Sequence, residues 1–179
     1  NKAGTYVVLS LGGGGSDPSR AFREVCSDPV ARANFINNVI DIINEYGFDG
    51  VDIDWETPSY SQRQLFTTLA KELNEAVKAN NPHHLVTAAS GGGKWQPSCY
   101  DLPHSIEYLD FVNVMTYSMC SSGGYYQNAL YSSPSYHNTA YKAGRTMDSC
   151  SIEESIEIYN DLGVENSKLI FGLAFYGIV

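Results

Sequence analysis

The sequence has no apolar run approaching the roughly 18 residues that span a bilayer, so no membrane-spanning helix is expected. Its first residues, Asn1-Lys2-Ala3-Gly4-Thr5, lack the apolar stretch of a secretory signal, and any signal in the gene would lie outside this chain. Positive charge is scarce. The chain carries 11 Lys and Arg against 20 Asp and Glu, for a formal net charge of −9. Such a surface repels phosphate backbones, which argues against nucleic acid as a partner. Cysteine is scarce too: Cys26, Cys99, Cys120 and Cys150 form no CxxC pair and no Cys/His ligand spacing. A structural zinc site is therefore not expected. An even count permits a bridge, but buried or free thiols are the preferred reading. Neither an internal repeat nor a low-complexity segment is present.

What is there is a globular composition, with 43% hydrophobic and 17% charged residues over a length that suits one domain with a real core. Short apolar strands alternate with amphipathic helices. Strands are expected at 6–11, 48–55, 85–89, 108–117 and 168–175. The glycine run Gly12 to Gly15 follows the first, and Gly91-Gly92-Gly93 forms a loop after the third. A helix is predicted from Pro29 to Tyr46, with Phe35, Ile36, Val39, Ile40 and Ile43 on one side and Gly47 as its stop. A second is predicted over about 61–79, where Leu65, Leu69, Leu73 and Val77 recur at i+4 and Asn80-Asn81-Pro82 ends the pattern. Ser151 and Glu154 form a capping box that opens a third, running to about Leu162. The polar stretch from Ser118 to Cys150 reads as loop.

This βαβ rhythm implies a parallel sheet, either an open doubly wound one or part of a barrel. Central strands of an open sheet read as continuous apolar runs, whereas polar and apolar residues alternate along 48–56. A barrel accepts polar groups at the carboxyl mouth of its strands. The expected fold class is therefore α/β, of the parallel (β/α)8 TIM-barrel type. About five of its eight strands are present, so residues 1–179 are expected to form part of such a barrel.

The informative segment is Asp49-Gly50-Val51-Asp52-Ile53-Asp54-Trp55-Glu56. Strand alternation puts Asp52, Asp54 and Glu56 on one face and Val51, Ile53 and Trp55 on the other. Carboxylates stacked on one face repel one another, and strands avoid this unless the groups share protons, bind metal or do chemistry. An acidic edge strand fits poorly with the apolar opposite face. A Ca²⁺ or Mg²⁺ site fits poorly because no second acidic cluster is evident. Coupled carboxylates split their affinities for protons, so one can stay protonated while its neighbour is charged. Glu56 ends the strand with the longest reach and is the natural proton donor. Asp54 is placed to bond Glu56 or a substrate group, and Asp52 lies deeper as its proton partner.

The same segment resembles the DxxDxDxE signature of family 18 chitinases. Ser10-Leu11-Gly12-Gly13 resembles that family's SxGG strand end, Met115-Thr116-Tyr117 its MxY strand end, and residues 168–177 its seventh strand. The resemblance implies a retaining mechanism in which the substrate's own 2-acetamido oxygen attacks C1 after Glu56 protonates the glycosidic oxygen. It implies that Asp54 orients the acetamido N–H and that Tyr117 donates to the acetamido oxygen. Gly13, Met115, Tyr176 and Ser118 are implied at the sugar site. Tyr125, Tyr126, Tyr131, Tyr136 and Tyr141 are candidates to stack on sugar faces. No cofactor and no metal are implied. The implied partner is chitin or an N-acetylglucosamine-containing oligosaccharide, met by a secreted or extracellular protein.

Two departures stand out: Ser118 where the family usually has Asp, and Gly14 where it often has Trp. The chain matches about the third to seventh strands, so it is expected to be a fragment, or else chain association would cover its open sheet edges. The competing readings are an endo-β-N-acetylglucosaminidase acting on N-glycans and a non-hydrolytic chitin-binding lectin. Trp55 before the Glu favours chitinase over the first. Glu56 itself argues against the second.

Overall fold

Five parallel strands lie side by side in the order in which the chain makes them: β1 (Leu9–Gly14), β2 (Gly50–Glu56), β3 (Leu85–Gly91), β4 (Phe111–Met115) and β5 (Leu169–Phe171). The computed structural model describes residues 4–119, 127–131 and 151–177. A doubly wound sheet reverses its strand order at a switch point. Here no reversal occurs, so successive right-handed crossovers stay on one side and the sheet is the wall of a barrel. The expected fold class and strand count stand.

Helices α1 (Ser16–Ser27), α2 (Pro29–Tyr46) and α3 (Arg63–Asn80) carry the outer layer. The short turns α4 (Trp95–Ser98) and α5 (Leu102–Ser105) follow β3, and α6 (Ile152–Asp161) precedes β5. Asp28 caps α2 by accepting from Val30 and Ala31 N–H at 2.8 and 3.3 Å, with Pro29 in the first turn, where its missing N–H costs nothing. Gly47 closes the helix at φ 70°, a left-handed value that favours glycine. Ser151 accepts from the Glu154 N–H at 3.2 Å and so caps α6, as the capping box predicts. On α3 the buried residues are Phe66, Leu69, Ala70, Leu73 and Val77. They meet Val51, Ile53 and Trp55 of β2 and Ile36, Val39 and Ile43 of α2 in one core. Arg32 and Glu72 join α2 to α3 with paired bonds of 2.7 and 2.8 Å.

Expectations shift at several strands and at α1; the fourth strand, expected at 108–117, is the shorter Phe111–Met115. The first strand lies at Leu9–Gly14 rather than 6–11, because the glycine run itself pairs with β2: Gly12 with Asp54, Gly13 with Trp55, Gly14 with Glu56. Tyr6 and Val7 are apolar but exposed. The last strand stops at Phe171 rather than 175, since the Thr116 hydroxyl takes the Gly172 carbonyl at 2.8 Å. Helix α1 falls where no helix is expected. Its apolar face is small, with Phe22 and Cys26 as the buried residues. Cys26 and Cys99 are buried free thiols, and burial pushes the Cys26 thiol up to about 12. Cys120 and Cys150 lie outside the described residues. Among the described residues no helix is long and apolar enough to cross a membrane.

Candidate active site

Strand β2 divides its side chains as alternation requires. Val51, Ile53 and Trp55 are fully buried against the helices, with the Trp55 ring stacked on Phe22 at 5.2 Å. Asp52, Asp54 and Glu56 occupy the other, inward face. Asp49, the first acid of the signature, is not part of this row. Its carboxylate accepts the Val7 N–H at 2.8 Å and fastens the approach to β1.

The three inward acids have different surroundings, and the neighbouring strands explain why. Asp52 is 7% exposed, with Ser10 of β1 and Thr87 of β3 in register on either side. Its Oδ1 accepts from Thr87 Oγ1 at 2.5 Å and from Asn113 Nδ2 of β4 at 2.9 Å, and its Oδ2 accepts from Ser10 Oγ at 3.3 Å. Two residues further along, β1 offers Gly12 and β3 offers Ala89, neither of which has a donor side chain. Asp54 Oδ1 is accordingly buried without a hydrogen-bond partner. Burial, then the charges of Glu56 and Asp52, push the Asp54 carboxyl up to about 6. A carboxyl so placed carries a proton near neutrality for part of the time.

Glu56 ends the strand half-buried at the mouth. Its carbonyl accepts from Ser19 Oγ of α1 at 2.9 Å, so the unexpected helix also fixes the end of β2. Gly14 faces the carboxyl: a Cβ there would stand 3.4 Å from Glu56 Oε1. A larger residue at 14 would cover the acid, whereas glycine leaves it open. Gly12 has a different reason, since a Cβ on it would lie 2.2 Å from the Asp54 carbonyl oxygen, and its φ of 113° suits glycine alone. Gly13 has φ 110° and open space around it.

Tyr117 lies two residues beyond β4 and packs edge-on against Tyr176, ring centroids 6.3 Å apart. Burial, Tyr176, and the nearby Glu56 and Asp54 charges all push the Tyr117 hydroxyl above its ordinary range. Tyr176 sits in the segment after β5 rather than at a strand end, and its hydroxyl is 3.3 Å from Ser118 Oγ. Ser118 is exposed at φ 52°, a conformation that Asn and Asp adopt more readily than most residues. Met115 is half-buried at the end of β4, on the face of Asn113 and Tyr117. The structure thus sets Asp52, Asp54 and Glu56 in one row with Tyr117 near the outer two and Tyr176 and Ser118 beside it, while Gly13 and Met115 lie at the carboxyl ends of β1 and β4. Of the five loop tyrosines, Tyr131 is exposed and the other four lie outside the described residues. Sequence reasoning missed Thr87 and Ser19 because a lone hydroxyl in a strand or helix carries no pattern. Among the described residues, no three His, Cys, Asp or Glu side chains are grouped to hold a metal ion.

The profile of glycosyl hydrolases family 18 matches residues 1–179. The chain belongs to that family. It is 29% identical over 184 aligned residues to a probable chitinase 10 of Drosophila melanogaster, an alignment that covers 97% of this chain and 8% of that protein. It superposes on a chitinase from Bacillus thuringiensis with a TM-score of 0.82 at 27% identity, covering 94% of this chain and 28% of the other. A Group IV chitinase of Ostrinia furnacalis, solved in complex with allosamidin, gives a TM-score of 0.77 at 28% identity, covering 94% and 46%. The chain thus spans less than half the length of these family 18 relatives.

Proposed function

We propose that residues 1–179 form part of a catalytic domain that hydrolyses β-1,4-linked N-acetylglucosamine polymers with retention, Glu56 acting as general acid. The supporting observation is the inward row Asp52, Asp54, Glu56 at the carboxyl end of β2, faced by Tyr117 near enough to feel the outer two charges. In this reading Glu56 protonates the glycosidic oxygen while the 2-acetamido oxygen attacks C1. Asp54 receives the acetamido N–H and stabilises the positive charge that grows on the cyclising group. Tyr117 donates to the acetamido oxygen and aligns it. The bound relative supports a ligand of this class, since its partner is allosamidin. A polymeric sugar is met outside the cell, so this reading carries with it a secreted or extracellular protein.

The test is a rate comparison in the full-length protein on chitin oligomers, N-glycopeptides and fully deacetylated oligomers. Glu56→Gln removes the proton and keeps the shape, so hydrolysis falls by about 10² to 10⁴ while oligosaccharide binding survives. Deacetylated oligomers lack the internal nucleophile and are not cleaved. Near wild-type cleavage by Glu56→Gln, or equal rates on both oligomers, overturns the mechanism. Preference for the glycopeptides replaces chitin by N-glycans as the substrate.

A further inference from the structure

We infer that Trp95 is a specificity-determining residue of the cleft: its exposed indole is the platform on which a sugar flanking the cleaved linkage stacks. The inference rests on the glycosidase reading of the same site and deepens it by naming what grips the rest of the oligomer.

The placement of α4 carries it. Thr87, Ala89 and Gly91 share the inward face of β3 by alternation, the face that meets the acid row. At the carboxyl end of that face, the Gln96 side chain fills the space that a Cβ on Gly91 would need. The turn α4 therefore folds across the mouth of the sheet and not behind it. Gln96 Nε2 donates to the Thr57 hydroxyl at 3.3 Å, and Thr57 directly follows Glu56. Tyr100, fully buried just past α4, donates to the Trp55 carbonyl at 2.7 Å. Tyr159 of α6 donates to the Gly91 carbonyl at 2.9 Å. These bonds tie α4 and its base to the ends of β2 and β3, beside Glu56. Pro97, Cys99 and Tyr100 are buried, which leaves Trp95 at the outer end of the turn, 64% exposed.

A single exposed ring is ordinary on a protein surface. Two further facts set this one apart. Its faces are free: among the described residues Trp95 meets no aromatic ring and no cation. Tyr60, the exposed ring in the loop after β2, already carries the Arg63 guanidinium 4.1 Å from its centroid. The other side of β2 is also bare, since Gly12 to Gly15 present backbone alone and glycine stands at 14, where the family often has Trp. An oligomer crossing this mouth therefore finds its flat apolar surface on the α4 side. A pyranose ring has a face of C–H groups and a rim of hydroxyls. An indole offers that face a flat contact, and with few rotatable bonds it loses little entropy on binding. The contact is made alike in the ground state and the transition state, so its loss raises KM and spares kcat.

The test compares Trp95→Ala and Trp95→Phe in the full-length protein on chitin oligomers from dimer to hexamer. Trp95→Ala is expected to raise KM for the hexamer by about tenfold with kcat within about twofold. The rise grows with oligomer length, and Trp95→Phe restores most of the loss. A merely structural role would instead lower the thermal midpoint and impair all lengths alike, without rescue by Phe. Contact is read directly by fluorine NMR of protein made with fluorotryptophan, the Trp95 signal being the one lost in Trp95→Phe. In Glu56→Gln protein that signal shifts on adding chitin hexamer and saturates with the binding curve. Hexamer binding with an unmoved Trp95 signal, or a KM change independent of length, overturns the inference and leaves the glycosidase reading standing. A Glu56→Gln protein that binds no hexamer overturns both.

Discussion

Asp54 combines a buried oxygen that no donor meets with two acidic neighbours, an arrangement that works against folding. Its carboxyl is raised to about 6 in the folded chain, against about 3.9 for a free aspartate. The folded state therefore binds more protons than the unfolded state between those values, and stability from this group is complete below the lower one and lost as pH rises through the upper. Asp54→Asn removes the charge and is expected to stabilise the fold at pH 7 by about 1 to 2 kcal/mol, after allowance for partial solvent screening. The gain shrinks towards zero near pH 4. Denaturant unfolding at both pH values checks this, and equal effects at the two would show that the carboxyl is not raised. Under the proposed mechanism the same change weakens orientation of the acetamido group, so stability and activity are expected to move in opposite directions at one residue.

Strand β2 was readable from its letters because two signals coincide in it: apolar residues at alternate positions and acids between them. Helices α2, α3 and α6 were readable from periodicity and caps, and their bounds shift by only a residue or two. Helix α1 was not, because one large side chain, Phe22, does most of its packing. That ring stacks on Trp55 and meets Phe35 edge-on at 6.2 Å. Phe22→Ala is expected to cost about 3 to 5 kcal/mol, as for other buried aromatic truncations, seen as a lower denaturant midpoint with little change in slope. A loss below about 1 kcal/mol would mean that α1 is held by Ser19 and its own turn contacts instead. The donors around Asp52 were equally hidden. Thr87 is an ordinary β-former, and only register shows that it and Asn113 reach one carboxylate. The last strand is expected to run to 175, just short of Tyr176, because strand-like letters continue past the last ladder bond at β5.

At the scale of the whole chain, β1 and β5 are the two edges of the described sheet, and apolar side chains lie exposed beside them: Val7, Ile170, Leu173 and, at 96%, Phe175. Such edges template pairing with other strands. The 179-residue chain by itself is therefore expected to self-associate, more at 0.5 M salt than at low salt, because its net charge of −9 opposes contact until screened. Sedimentation velocity over a concentration series checks this, and Ile170→Lys should reduce it. A monomer at all concentrations would show that the edges are already protected. The division of β2 into a hydrocarbon side and a carboxyl side has a consequence for assembly as well. A slip of one residue against its neighbours would exchange the two sides. Three acids would enter the layer sealed by the helices, at several kcal/mol for each ion left unpaired, and Trp55 would swing into the wet cleft. The acids that equip the cleft therefore also proofread the alignment of the strand, rejecting a misthreaded sheet by its charge. Any drift of sequence that silenced them would weaken that error check together with the chemistry.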